Sequence, residues 1–161
     1  MDIVIQPPSE SHRSGWNDLW DAYLTFYETE TSADNSNVLW DRIRDPENGI
    51  SCHVAVQQGR LIGLVHFFPH SDTWNSRPVC YLQDLYVQES RRGHGVGEML
   101  VRSVVDEAER NGWSGVYWLT AEDNEQARGL YDRIAGGPSG FIVYEVKSPI
   151  SGNSDSSAGS A

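Results

Sequence analysis

The sequence predicts a mixed α/β fold, a central sheet with helices on both faces, and three observations lead there. Two apolar runs, Cys52 to Gln57 and Leu61 to Phe68, flank the hairpin-length break Gln58-Gly59-Arg60. The stretch from Gly95 to Asn111 repeats its apolar residues at helical spacing. After it, short strand and helix patterns alternate. With 161 residues, 39% of them apolar, and six Trp, seven Tyr and four Phe, the chain can bury one core and has no room for a second comparable one. One domain is therefore expected over residues 1–148. The closing SGNSDSSAGSA contains nothing that could offset the ordering of a backbone, so residues 149–161 read as a flexible Ser/Gly-rich tail.

Taken in order, Ile3 to Ile5 alternate like a short strand. Ser14 can cap a helix that carries Trp16, Leu19, Trp20 and Tyr23 on one face, with Phe26 and Tyr27 at its end. A second helix, Asn37 to Arg44, would bury Val38, Leu39 and Ile43 and stop before Asp45-Pro46. The hairpin follows, then a polar loop from His70 to Arg77 and a strand from Val79 to Val87. In the long helix Val96, Met99, Leu100, Val104, Val105 and Ala108 form one stripe, opposite Glu98, Arg102, Asp106, Glu109 and Arg110, and Gly112 stops it. A strand at Val116 to Thr120, a helix at Glu125 to Ile134 and a last strand at Phe141 to Val146 complete the pattern.

Composition excludes several functions. The net charge of -11, from 23 acidic against 12 basic side chains, argues against a nucleic-acid binder and for a cationic partner. The basic residues include a single lysine, Lys147, outside any motif, which removes the P-loop and Schiff-base readings. Cys52 and Cys80 form no disulfide framework or metal spacing and read as buried reduced thiols. His66 and His70 are separated by a helix-breaking Pro69, so no metal site is expected. No apolar run is long enough for a membrane helix, and MDIVIQPPSE lacks the order of a secretory signal, so a cytoplasmic location is expected.

Between the Val79 to Val87 strand and the long helix lies Arg92-Gly93-His94-Gly95-Val96-Gly97. Alternate glycines let backbone N–H groups approach an anion, and the helix dipole favours one, so a phosphate is the natural ligand. A dinucleotide fingerprint would need glycine where Glu98 stands. Arg92-x-x-Gly95-x-Gly97, after a strand ending Asp84-Leu85-Tyr86-Val87, resembles the acetyl-CoA loop of the Gcn5-related N-acetyltransferase superfamily. Asn124-Glu-Gln-Ala127-Arg-Gly-Leu130-Tyr131 resembles that superfamily's second signature. The wording Tyr81-Leu-Gln-Asp-Leu-Tyr-Val is closest to the branch of polyamine and small histone-type amine acetyltransferases.

The resemblance implies an N-acetyltransferase that moves acetyl from acetyl-CoA to a primary amine by direct attack in a ternary complex, without a metal. It implies cofactor contacts from Leu85, Tyr86, Val87, Arg92, Gly93, His94, Gly95, Val96, Gly97, Asn124, Ala127 and Tyr131. Tyr131 stands at the family's general-acid position. Tyr27, Glu28, Gln83 and Asp84 are expected at the amine, with Asp84, Glu28 and Glu122 as candidate proton acceptors through water, because the polyamine branch has a glutamate where this chain has Gln83. The acceptor is left open among polyamines, small amino acids, aminoglycosides and protein amines, and a homodimer is compatible with the branch. The rival from another class is a catalytically silent acyl-CoA-binding sensor or partner module.

Overall fold

The computed structural model describes residues 2–148, so the expected tail lies outside the described residues. Among the described residues five strands form one sheet in chain order: β1 (Val4–Gln6), β2 (Ser51–Gln57), β3 (Arg60–His70), β4 (Val79–Val87) and β5 (Val116–Tyr117). The first four pair antiparallel and β5 joins β4 in parallel. Helices α1 (Arg13–Phe26) and α2 (Ala33–Arg44) precede the hairpin, α3 (Val96–Asn111) is the crossover between β4 and β5, and α4 (Glu125–Ala135) follows.

The sheet buries a core on each face, which is why its central strands are continuously apolar. On one face Val96, Leu100, Val101 and Val104 of α3 pack on Ala55, Val65, Phe67, Cys80 and Leu82. On the other, Trp16 and Leu19 of α1 and Trp40 of α2 cover Cys52, Val54 and Leu64.

Local chemistry moves several boundaries. Ser14 lies inside α1, because a short 3-10 turn, Glu10–His12, already starts the chain coiling and the Ser9 backbone N–H donates to His12 Nδ1 at 2.9 Å. Helix α2 starts at Ala33, where Ser32 Oγ accepts from Asn35 N–H at 3.1 Å. It buries Trp40, while Val38 is exposed. In α3 the buried stripe runs through Val101, and Met99 faces outward. The expected strand from Phe141 to Val146 does not form. A strand persists only where a neighbour takes its hydrogen bonds, and β5 is two residues long. Phe141, Tyr144 and Val146 are left 81%, 89% and 94% exposed.

One irregularity in β4 governs the site. His66 of β3 pairs with Asp84, but the next residue, Phe67, pairs with Leu82, so Gln83 is an extra residue bulged out of the ladder. Side chains alternate in a strand, and an inserted residue reverses the phase. Cys80 and Leu82 therefore face α3, whereas beyond the bulge Leu85 and Val87 face α3 and Tyr86 faces α1. Asp84 lands on the α1 face, beside Tyr23.

Candidate active site

Strands β4 and β5 pair only at Cys80 with Val116 and Tyr81 with Tyr117, and then part. The Gln88 N–H donates to the Ile62 carbonyl at 2.9 Å, so the ladder's alternation directs the polar groups of Leu85 and Val87 away from β3, into the gap. The Val87 carbonyl is taken by Arg92 Nε at 3.0 Å. A cavity of about 280 Å³ opens there, with Leu85, Tyr86 and Val87 on one side and Asn124, Ala127 and Tyr131 on the other.

Its floor is the start of α3. Gly93 and Gly95 both have φ of +79°, a region where a side chain is strained, and a Cβ at either position would meet nothing within 4 Å. The open ground beside these glycines belongs to the cavity. The first N–H groups of a helix lack intrahelical acceptors, and the Gly95 cap supplies no side-chain bond to them. Arg91, Arg92 and Arg133 also line the space, a cationic patch in an acidic protein. Arg92 is pinned by more than its Val87 bond, since its guanidinium lies 5.3 Å from the Phe26 ring centre and 5.5 Å from that of Tyr86. Glu98 lines the cavity too, but its carboxylate takes two bonds from Arg102, at 2.9 and 2.7 Å. At Gly97 a Cβ would stand 3.2 Å from Leu130 Cδ2, so glycine there lets α4 close on α3. Donors, dipole and arginines together fit a diphosphate, and the unpaired edge of β4 fits a chain of amides.

On the opposite wall, Asn124 caps α4, its Oδ1 accepting from the Ala127 N–H at 3.3 Å. That bond fixes the first turn and brings Tyr131 into the cavity one turn after Ala127, its ring 5.4 Å from Trp118. Burial, with the neighbouring Tyr27 adding to it, pushes the Tyr131 phenol up to about 12, so it keeps its proton across the neutral range.

The model of the acetyltransferase (GNAT) family matches residues 14–136. The chain belongs to that family. A D-amino-acid N-acetyltransferase of Saccharomyces cerevisiae is 32% identical over 135 residues, which cover 83% of this chain and 84% of the relative. An L-ornithine N5-acetyltransferase of Arabidopsis thaliana is 28% identical over 92 residues, 57% of this chain and 40% of that one. Among solved structures, a ribosomal-protein-alanine N-acetyltransferase from Brucella melitensis biovar Abortus 2308 superposes with a TM-score of 0.76 at 19% identity, covering 91% of this chain and 99% of that one. AAC(6')-Iy with the bisubstrate analog CoA-S-monomethyl-acetylneamine gives 0.78 at 16%, over 92% and 99% of the two chains. The structural likenesses show the fold, and the N-acetyltransferase relatives leave the silent-module alternative without support.

In this GNAT acetyltransferase the residues expected at the amine are dispersed. Tyr27 lines the cavity, while Glu28, Gln83 and Asp84 do not. Glu28 is exposed and stands just beyond α1 in the left-handed region, φ 52°. Gln83 is exposed at the bulge. Asp84 is buried behind the wall, where Tyr23 Oη donates to its Oδ1 at 2.7 Å. His94 is exposed, with Nδ1 donating back to the Arg92 carbonyl at 2.9 Å, and it does not line the cavity. Burial pushes both cysteine thiols up, Cys80 to about 12, and no group of three metal-ligating side chains occurs among the described residues. Arg91, Arg133 and Gln126 line the site without being anticipated. Arg91 could have been read from its place beside Arg92 at the loop, whereas Arg133 carries no sequence signal.

Proposed function

We propose that this acetyltransferase transfers the acetyl group of acetyl-CoA to the primary amine of a small cationic acceptor, by direct attack in a ternary complex. The observation that carries the reading is one cavity with the unpaired edge of β4 on one wall, the bare N-terminus of α3 as its floor and the half-buried Tyr131 opposite. Acetyl-CoA supplies the activated thioester carbonyl. The amides of Gly93 to Gly97, with Arg91, Arg92 and Arg133, hold its diphosphate, and the gap-facing polar groups of Leu85 with the N–H of Val87 hold its pantetheine arm. Asn124 retains its NH2 group as a donor beside them.

Tyr131 assists the departing sulfur. A phenol near 12 that handed its proton outright to a thiolate, whose conjugate acid lies near 8.5, would face a cost of about 5 kcal/mol. Its role is therefore a hydrogen bond that strengthens as charge grows on sulfur, with proton transfer concerted with bond breaking. The acceptor must lose a proton before attack, and at a pKa of about 10.4 only about one amine in a thousand is neutral at pH 7.4. Asp84, reached through water beside Tyr27, is the acceptor of that proton. The relatives named for D-amino acids and ornithine support a small acceptor. Residues 1–148 act as one catalytic unit in this reading. The exposed run Phe141 to Val146 supports a homodimer in which these side chains are covered, testable by sedimentation. Among the described residues no helix is long and apolar enough to cross a membrane, and cytoplasmic residence rests on the sequence.

The test is thiol release from acetyl-CoA against a panel of D-amino acids, ornithine, thialysine, spermidine, an aminoglycoside and neutral amines. Small cationic amines should turn over best, with kcat/KM falling as salt rises and increasing above pH 8. Equal turnover of neutral or anionic acceptors, or no thiol release with any, would refute it.

A further inference from the structure

Asp84 is 8% exposed, one residue before Leu85 of the cavity wall. Its Oδ1 accepts from Tyr23, and its Oδ2 lies 3.0 Å from His66 Nδ1. On the far side of that imidazole, Trp16 Nε1 donates to His66 Nε2 at 3.0 Å. An indole N–H can only donate, so Nε2 must be the bare, accepting nitrogen. The ring proton is then on Nδ1, donated to Asp84. The contact between His66 and Asp84 has the length of an ion pair, but the Trp16 bond makes it a hydrogen bond from an uncharged ring.

The rest of the setting is equally short of positive charge. Around His66 and Asp84, α1 presents Trp16 and Trp20 to the imidazole and Tyr23 to the carboxylate, and β2 presents the register partner Cys52. Among the described residues no lysine or arginine reaches ion-pair distance of Asp84. A buried carboxylate without a cation is costly, and two neutral donors offset only part of that cost. Tyr27, which lines the cavity, has its phenol pushed up by burial and then by the charge of Asp84.

We propose that Trp16 and His66 are positioning residues: Trp16 locks His66 as the Nδ1–H tautomer, and His66 with Tyr23 holds Asp84 as an unprotonated carboxylate that attracts the positive charge of the acceptor amine and then takes its proton through water. The proposal rests on the amine-acetylating reading above and deepens it, because it makes Asp84 the anchor for a cation and excludes His66 as the base. A base at His66 would have to accept a proton at Nε2, against the Trp16 N–H.

Long-range proton–nitrogen correlation spectra of histidine-labelled protein at pH 7 test the lock without any substrate. His66 should appear as a single Nδ1–H tautomer. An Nε2–H or doubly protonated ring would overturn the proposal. Kinetically, His66→Leu, checked for folding by circular dichroism, should raise the KM of the best amine about tenfold or more while the KM of acetyl-CoA stays unchanged. His66→Asn places an amide donor near the Nδ1 position and should restore the amine KM to within about threefold of wild type. An unchanged amine KM in a folded His66→Leu protein, or equal loss in His66→Asn, would overturn the positioning role. Should no amine be turned over by the wild-type enzyme, the functional reading fails, and the nitrogen spectra still decide the tautomer lock.

Discussion

Helix α3 begins and ends on a left-handed glycine, and that symmetry isolates what the cavity loop contributes. Gly95 has φ of +79° and Gly112 +66°, and a Cβ added at either would touch nothing within 4 Å. Gly95→Ala and Gly112→Ala should therefore lose similar stability, about 1–2 kcal/mol each, from backbone strain alone. Only Gly95 borders the cavity, so only there does the new methyl occupy ground meant for an anion. Displacing one hydrogen bond to a charged acceptor is worth about 1.5–3 kcal/mol, or about 10- to 150-fold in Kd. Urea unfolding measures the first effect, and calorimetric titration with coenzyme A the second. The expected result is matched destabilisation with weakened binding confined to Gly95→Ala. If both variants bound coenzyme A as the parent does, or if Gly112→Ala weakened binding equally, the assignment of the α3 terminus as the diphosphate site would be wrong.

Tyr131→Phe should leave coenzyme A affinity nearly unchanged and lower kcat by about tenfold or more, as loss of general-acid assistance does, whereas a packing role would leave kcat intact. Because burial holds the Tyr131 phenol near 12, kcat/KM should climb with pH as the amine is neutralised and show no falling limb below about pH 10; a fall near pH 9 would place a different acid in the role. His53 is buried with Nδ1 2.9 Å from Ser103 Oγ, whose own proton goes to the Leu100 carbonyl at 2.7 Å, so the ring donates from Nδ1. Burial lowers its pKa, with Glu107 opposing and Arg110 assisting, so the unfolded chain binds the proton more readily. The associated stability is complete above about pH 6.5 and is lost as pH falls towards the lower folded value. His53→Asn should accordingly lose less stability than wild type between pH 7.5 and 5 in urea unfolding, and identical losses would rule the residue out as the source.

What the sequence disclosed was the part written in local chemistry. The alternate glycines ahead of α3 announce their backbone, since few other residues adopt φ of +79° twice in three positions. Asn124 announces a helix start by its own capping bond. Ser14 looks like the cap of α1, while the turn that sets the start of the helix is the preceding Ser9 to His12 pairing. Phe141 to Val146 has every local preference of a strand and none of the neighbours, and propensity alone does not make a ladder. Arg133 reaches the cavity only because α4 closes on Gly97, a tertiary fact with no local trace.

The relation between His66 and Asp84 shows why the amine side was the hardest to read. Eighteen residues separate them, and strict alternation along β4 would put Asp84 on the same face as Cys80 and Leu82, a carboxylate among the apolar residues under α3. The bulge at Gln83 removes that conflict by reversing the phase once. The same reversal serves both halves of the site. It sends Asp84 to the α1 face, where Tyr23 and His66 can bond it, and it turns the polar groups of Leu85 and Val87 towards the gap left by β5. Tyr27 stands between the two halves: burial and then Asp84 raise its phenol, and Arg92 lowers it. A negative pole and a positive patch divided by one aromatic wall is the arrangement that a cationic acceptor and an anionic cofactor require if each is to approach from its own side.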